Sequence, residues 1–326
     1  MRTLIGVVVA LPALGCGDKL LTEGLEEPFS VHGAQLIEAT LPGQAPLTTE
    51  QINDGVRPEK PFVNGLVANL QLLRPHLAGV GFSGLVSDDA VAVGLQLEGQ
   101  GSGYWVFPAG APDAFVPGFL TWSGLVDFHE VPPGRHRLLA AAIDARGNSG
   151  TQAGTTLCIQ RPVPDNGNVC DPRRTPPGIV VSLTWNRPVD LDLLVASPTG
   201  DLIEAKSPAS GPLTPPPTQR LDRDAPGAGY LDVDSNRECV PDGRQRENVI
   251  FNSPVPGRYR VYANLHDSCG QDSVQYEVSV HARTIGAEAD TFDVVETRRR
   301  VGSLIALQAN GSRARGTYVT EFVITE

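Results

Sequence analysis

Lysine is almost missing from this chain of 326 residues, with three against 23 arginines, and the basic clusters that exist, Arg173-Arg174 and residues 298–300, are short. They read as solvated turns. The formal charge is −11, so nucleic acid and anionic lipid surfaces are not expected partners, whereas divalent cations are compatible. Also absent are a phosphate-binding P-loop, a dinucleotide fingerprint and a Gly-x-Ser-x-Gly elbow, which removes the usual sequence warrants for nucleotide chemistry and for a serine hydrolase. The six histidines (32, 76, 129, 136, 266 and 281) are scattered, and there is no Cys-x-x-Cys pair to prepare a zinc site. Apolar runs seldom exceed eight residues, and no repeat of solenoid length recurs. The expectation is a protein that is not an enzyme, with a hydrolase or an accessory of one as the alternative.

What is plentiful is glycine, at 35, and proline, at 28, which favours many short strands joined by turns over helices. The N-terminus carries Arg2 and an apolar run over residues 4–14, a signal peptide too short to span as a mature helix. Small Gly15 before Cys16 resembles the lipobox of bacterial lipoproteins. That resemblance implies cleavage after residue 15, acylation of Cys16, anchorage to outer-membrane lipid, and a tether over 16–28. A plain secretory signal is the other reading. Export makes the remaining four cysteines an even set, so two disulfides are expected, with Cys158–Cys170 and Cys239–Cys269 favoured among three connectivities.

The length suits two domains. Between Gly and Pro, residues 90–99, 104–110, 124–131 and 135–150 alternate or run apolar, and Thr48 and Gln51 have capping-box spacing for one helical turn. A Pro133-Gly134 turn leading to Asp144-x-x-Gly-Asn148 resembles the late hairpin of immunoglobulin-like bacterial domains, implying a β-sandwich over 29–160. Five prolines make residues 161–178 a stiff, non-helical linker. A second all-β domain is expected over 179–326, opening on VVSLTW and closing on the β-branched segment 317–324.

That second domain holds LTWNRPVDLDLLV (183–195) and GYLDVDSN (229–236). Read as strands, they place Asp190 with Asp192, and Asp232 with Asp234, on one face and leucines and valine on the other. Carboxylates spaced by two repel, so converging pairs need a cation, a basic partner or water. These segments, with RENVIFNSPVPGRYRVYANL (246–265), resemble the uncharacterised bacterial domain typified by YfaP. The resemblance implies a domain type rather than an activity. Leu194 replaces the histidine usual there, and a Pro-rich stretch over 207–226 lengthens one loop.

One reading of the acids is a calcium site. Asp232-x-Asp234-x-Asn236 offers oxygens at alternate positions, to be completed by Asp190, Asp192, Glu247 or Asn248. It is not an EF-hand, because Arg237 and Gly243 stand where that loop needs Gly and Glu. The other readings are acids paired with Arg237, Arg244 or Arg246, and solvated turns. Trp185 alternates with Val181 and Leu183 and reads as core. The aromatics Tyr104, Trp105, Phe107, Phe119 and Trp122 read as core plus an exposed loop. Glycan binding would require Trp105 or Trp122 to face solvent. The function expected is a non-catalytic cell-envelope lipoprotein, a binding or structural module on the periplasmic side or cell surface. Its partner would be an unidentified protein or glycan.

Overall fold

The computed structural model describes residues 27–74, 76–210 and 222–325. The signal peptide, Cys16 and most of the tether fall outside the described residues. The described residues are all-β apart from one α-helical turn and two 3-10 turns, Arg237–Cys239 and Ala306–Gln308, and divide into two compact units, the first formed by 27–71, 76–132 and 136–157 and the second by the remainder.

Up to residue 159, β1 (Phe29–Val31), β2 (Gln35–Ile37), α1 (Thr49–Asn53) and β3 (Val63–Ala68) are followed by β4 (Leu72–Leu73), β5 (Val80–Ser87), β6 (Ala90–Leu97), β7 (Tyr104–Pro108), β8 (Phe119–Phe128), β9 (Gly134–Asp144) and β10 (Ala153–Ile159); β4, the first two residues of β9 and the last two of β10 group with the second unit, the rest with the first. One sheet runs β1-β8-β5-β3. The other runs β2-β7-β6-β9-β10, with β4 added in parallel at Cys158 and Ile159. Phe29, Phe82, Trp122 and Phe128 fill the interior with Leu95, Leu97 and Leu138. The turn at α1 is capped as its spacing predicts, Gln51 N donating to Thr48 Oγ1 and Thr48 N to Gln51 Oε1. Trp122 is only 2 % exposed, and Trp105 is half-buried with its Nε1 donating to Phe29 O. Neither indole stands free in solvent.

The second unit comprises β11 (Ile179–Trp185), β12 (Asp190–Ala196), β13 (Leu202–Ile203), β14 (Gly229–Leu231), β15 (Arg246–Phe251), β16 (Gly257–Asp267), β17 (Ser273–Ile285), β18 (Phe292–Ile305) and β19 (Thr317–Ile324). Sheets β14-β15-β11-β17-β18 and β13-β12-β16-β19 pack face to face, an arrangement that alternation along each strand dictates. Val181, Leu183 and Trp185 from β11 and Val274, Tyr276, Val278 and Val280 from β17 meet Leu191, Leu193 and Val195 from β12 and Tyr259, Val261 and Ala263 from β16. Trp185 is core, as its alternation predicts. Tyr259 also explains the Pro-Gly-x-Tyr run. Its hydroxyl donates to Val255 O and accepts from Val255 N, a corner that fixes the entry to β16. Gly257 permits that turn, because at φ 138° a Cβ would strike Pro198.

Both expected disulfides are present, Cys158–Cys170 and Cys239–Cys269. Residues 161–178 are folded rather than free. Buried Asp165 accepts from Gly167 N and Val169 N, and buried Asn168 donates to Pro172 O, Arg174 O and Phe292 O. Residues 298–300 form no turn. They lie inside the 14-residue strand β18, pairing with Val280, Ser279 and Val278.

Candidate cation site

Strand β12 carries Asp190 and Asp192 on the face opposite Leu191 and Leu193, yet both faces are covered, so the acids are only 3 % and 4 % exposed. Strand β14 ends at Leu231, so Asp232 and Asp234 lie in the following loop rather than on a strand. The loop turns through left-handed Asn236 (φ 58°) and Glu238 (φ 54°) and is held to the turn that follows β16 by Cys239–Cys269. This curvature separates the two acids. Asp234 swings toward β12, and one carboxylate oxygen from each of Asp190, Asp192 and Asp234 falls within 4.8 Å of the others. Asp232 stays exposed, taking Asn248 N at 2.9 Å and Asn248 Nδ2 at 2.8 Å. Asp232 and Asn248 thus pair with each other. Asn236, also outside the cluster, secures the loop by donating to Val189 O and accepting from Asp242 N.

Each clustered acid is anchored through one oxygen. Asp190 Oδ2 accepts from Glu238 N at 2.8 Å, and Asp192 Oδ2 from Ser312 Oγ at 3.0 Å and Asn264 Nδ2 at 3.3 Å. Asp234 Oδ2 faces Arg237 Nε at 3.8 Å, an exposed pair of small worth. Hydrogen bonds that fix one oxygen of a carboxylate orient the other, the arrangement that second-shell groups give to metal ligands. Glu247 lies behind the cluster with no exposure, its two oxygens accepting from Leu193 N and Ser235 N. No lysine or arginine pairs with Asp190, Asp192 or Glu247 among the described residues; His266 Nδ1 stands 3.9 Å from Asp192.

The electrostatic consequence is consistent across the group. Burial, and then the neighbouring Asp192, push Asp190 up to about 6. Burial raises Asp192 against the opposing hydrogen bonds of Ser312 and Asn264, and raises Asp234 together with the charge of Asp192. It lifts Glu247 well above the ordinary carboxylate range, again with Asp192 adding to the effect. Such a cluster favours the binding of protons or of a cation. Three convergent carboxylates fit a hard, oxygen-seeking ion whose remaining ligands are water, and calcium tolerates that irregular geometry. A thiolate zinc site is excluded, since all four cysteines among the described residues are in disulfides.

Ser312, His266 and Asn264 have no signature in sequence, because Ser312 lies 120 residues from Asp192. His266 Nδ1 and Asp192 Oδ2 both bond the same Ser312 oxygen. An acid-base relay would need the carboxylate on the far nitrogen of the imidazole, so this trio supports Asp192 rather than a nucleophile.

No protein-family model and no curated protein matches the chain. Among solved structures, dimeric latent PorU from Porphyromonas gingivalis aligns over 78 % of this chain at 9 % identity and a TM-score of 0.23; the chain spans 21 % of PorU. A tetra-tandem repeat in the extending region of a large adhesion protein aligns at 10 % identity and a TM-score of 0.18, over 77 % of this chain and 72 % of that one. A structure of manganese lipoxygenase of Gaeumannomyces graminis with part of zonadhesin of Komagataella pastoris gives 10 % and 0.18, over 75 % and 93 %. Similarity at this level bears on neither fold nor function. The class defined by the chain's own features is an all-β, disulfide-bonded protein of an oxidising, extracytoplasmic compartment. Among the described residues, no helix is long and apolar enough to cross a membrane.

Proposed function

We propose that this chain is a non-catalytic binding or structural lipoprotein of the bacterial cell envelope, held to the outer membrane through Cys16. Its first unit is immunoglobulin-like. Its second is a YfaP-like sandwich stabilised by calcium bound to Asp190, Asp192 and Asp234. The observation that carries the calcium reading is the convergence of those three carboxylates with, among the described residues, no arginine or lysine paired to Asp190 or Asp192. The envelope reading rests on the two disulfides and on the Gly15-Cys16 sequence.

The test is thermal unfolding of residues 29–326 in calcium and in chelator. A ligand bound only by the folded state, at about a hundredfold excess over its dissociation constant, stabilises by roughly 2.7 kcal/mol. The expected result is a higher midpoint in calcium, lost in the Asp190→Asn, Asp234→Asn double variant. An unchanged midpoint at millimolar calcium would leave the acids as a proton-holding structural cluster.

A further inference from the structure

Strand β18 breaks the alternation that builds the rest of its sheet. On the face it shares with the buried row Val274, Tyr276, Val278 and Val280 of β17, it carries Leu304, Gly302, Arg300 and Arg298. Leu304 is buried, but Arg298 is only half-buried and Arg300 is exposed, so both guanidinium groups remain open to a partner. Arg298 reaches across to β19, donating to Thr320 Oγ1 at 3.4 Å, and Arg300 donates to Arg299 O. Neither makes an ion pair among the described residues, although acids outnumber bases by 37 to 26. Arg299, on the opposite face, takes Glu277 and Glu296. Arg298 also lines a cleft of about 490 Å³ with Ile179, Val280, Phe322 and Ile324.

The outer edge of β18 is only partly covered. Phe292 N donates to Pro172 O and Asn168 Nδ2 to Phe292 O, so residues 161–178 occupy the beginning of that edge. From residue 295 onward no strand pairs with that edge among the described residues, since β18 is last in its sheet; β19 of the facing sheet approaches it at Arg298 and Thr320. Val301, on the face opposite the unpaired arginines, is 75 % exposed.

Inward charges on an edge strand ordinarily prevent pairing, and here they would repel a second copy of the same strand. The same row attracts a strand of opposite charge. Arg298 and Arg300 are two residues apart, about 6.8 Å along the strand, the spacing of alternate side chains in any extended peptide. We propose that residues 295–305 of β18 receive an extended acidic segment of a partner protein as an added strand. Its carboxylates meet Arg298 and Arg300, and its apolar residues lie beside Val301. This names a class of partner and does not depend on the cation.

The experiment is fluorescence anisotropy of the exported chain at low ionic strength, with a labelled peptide of alternating glutamate and valine. Saturable binding is expected, weakened about tenfold by Arg298→Gln with Arg300→Gln, as two opposite-charge cross-strand pairs imply. Circular dichroism checks that the double variant is folded. Methylating alternate peptide nitrogens, which removes main-chain donors, should abolish binding to the unmodified protein. The proposal is overturned by absent binding at millimolar peptide or by equal binding of the methylated peptide. It also fails if phosphatidylglycerol vesicles bind through these arginines while the peptide does not.

Discussion

At the scale of residues, Asp190 shows how burial turns a charge into a condition on stability. Its carboxyl is pushed up to about 6 in the folded chain from an ordinary 3.8, so the native state holds the proton more tightly than the unfolded one. In chelator, the contribution is fully present below pH 4 and lost as pH rises through 6. A shift of this size corresponds to a fall on the order of 3 kcal/mol. Urea unfolding at stepped pH checks this, and Asp190→Asn should flatten the fall. Calcium should oppose it, because a cation replaces the proton. Asp190 and Asp192 were legible in sequence as oxygen donors, since acids on a strand of otherwise apolar residues demand a partner, whereas Glu247 was reached only through the family resemblance. Their supports were not. Asn264 and Ser312 reach Asp192 from 72 and 120 residues away, and such separations leave no periodic trace.

At the scale of elements, alternation was a sound guide wherever one face met the core. The segments 90–99, 104–110 and 317–324 became β6, β7 and β19. It failed at Asp232-Val233-Asp234, where an alternating string continues past the end of β14 into a loop. Left-handed residues and a disulfide, rather than pairing, determine the path of that loop. It failed also at residues 298–300, because three consecutive arginines look solvated on any element. Only the register with β17 reveals that Arg298 and Arg300 share the face of its buried row, half-buried and exposed at the rim. The bond between Cys239 and Cys269 closes 30 residues and positions the chain that carries Asp234. Replacing both cysteines with serine should cost about 3–4 kcal/mol by releasing unfolded-chain entropy. It should also shrink the calcium-dependent rise in midpoint, measured by scanning calorimetry with and without chelator. A rise as large as in the parent would mean that the loop holds its course unaided.

At the scale of the whole molecule, two compact all-β units rich in turns, two disulfides and a charge of −11 describe a chain suited to an oxidising compartment. The fold class was readable because glycine, proline and short apolar runs leave few other solutions. The partner was not readable, because open edges and clefts arise from register and not from composition. The central claim is that the buried acids serve one cation. Its most direct measurement is isothermal titration of calcium into the chelator-stripped, disulfide-bonded chain at pH 7. The prediction is one ion per chain, with protons released on binding, and no binding in Asp190→Asn, Asp234→Asn. Absence of a calcium isotherm at millimolar ion, or one that survives in that variant, would contradict it.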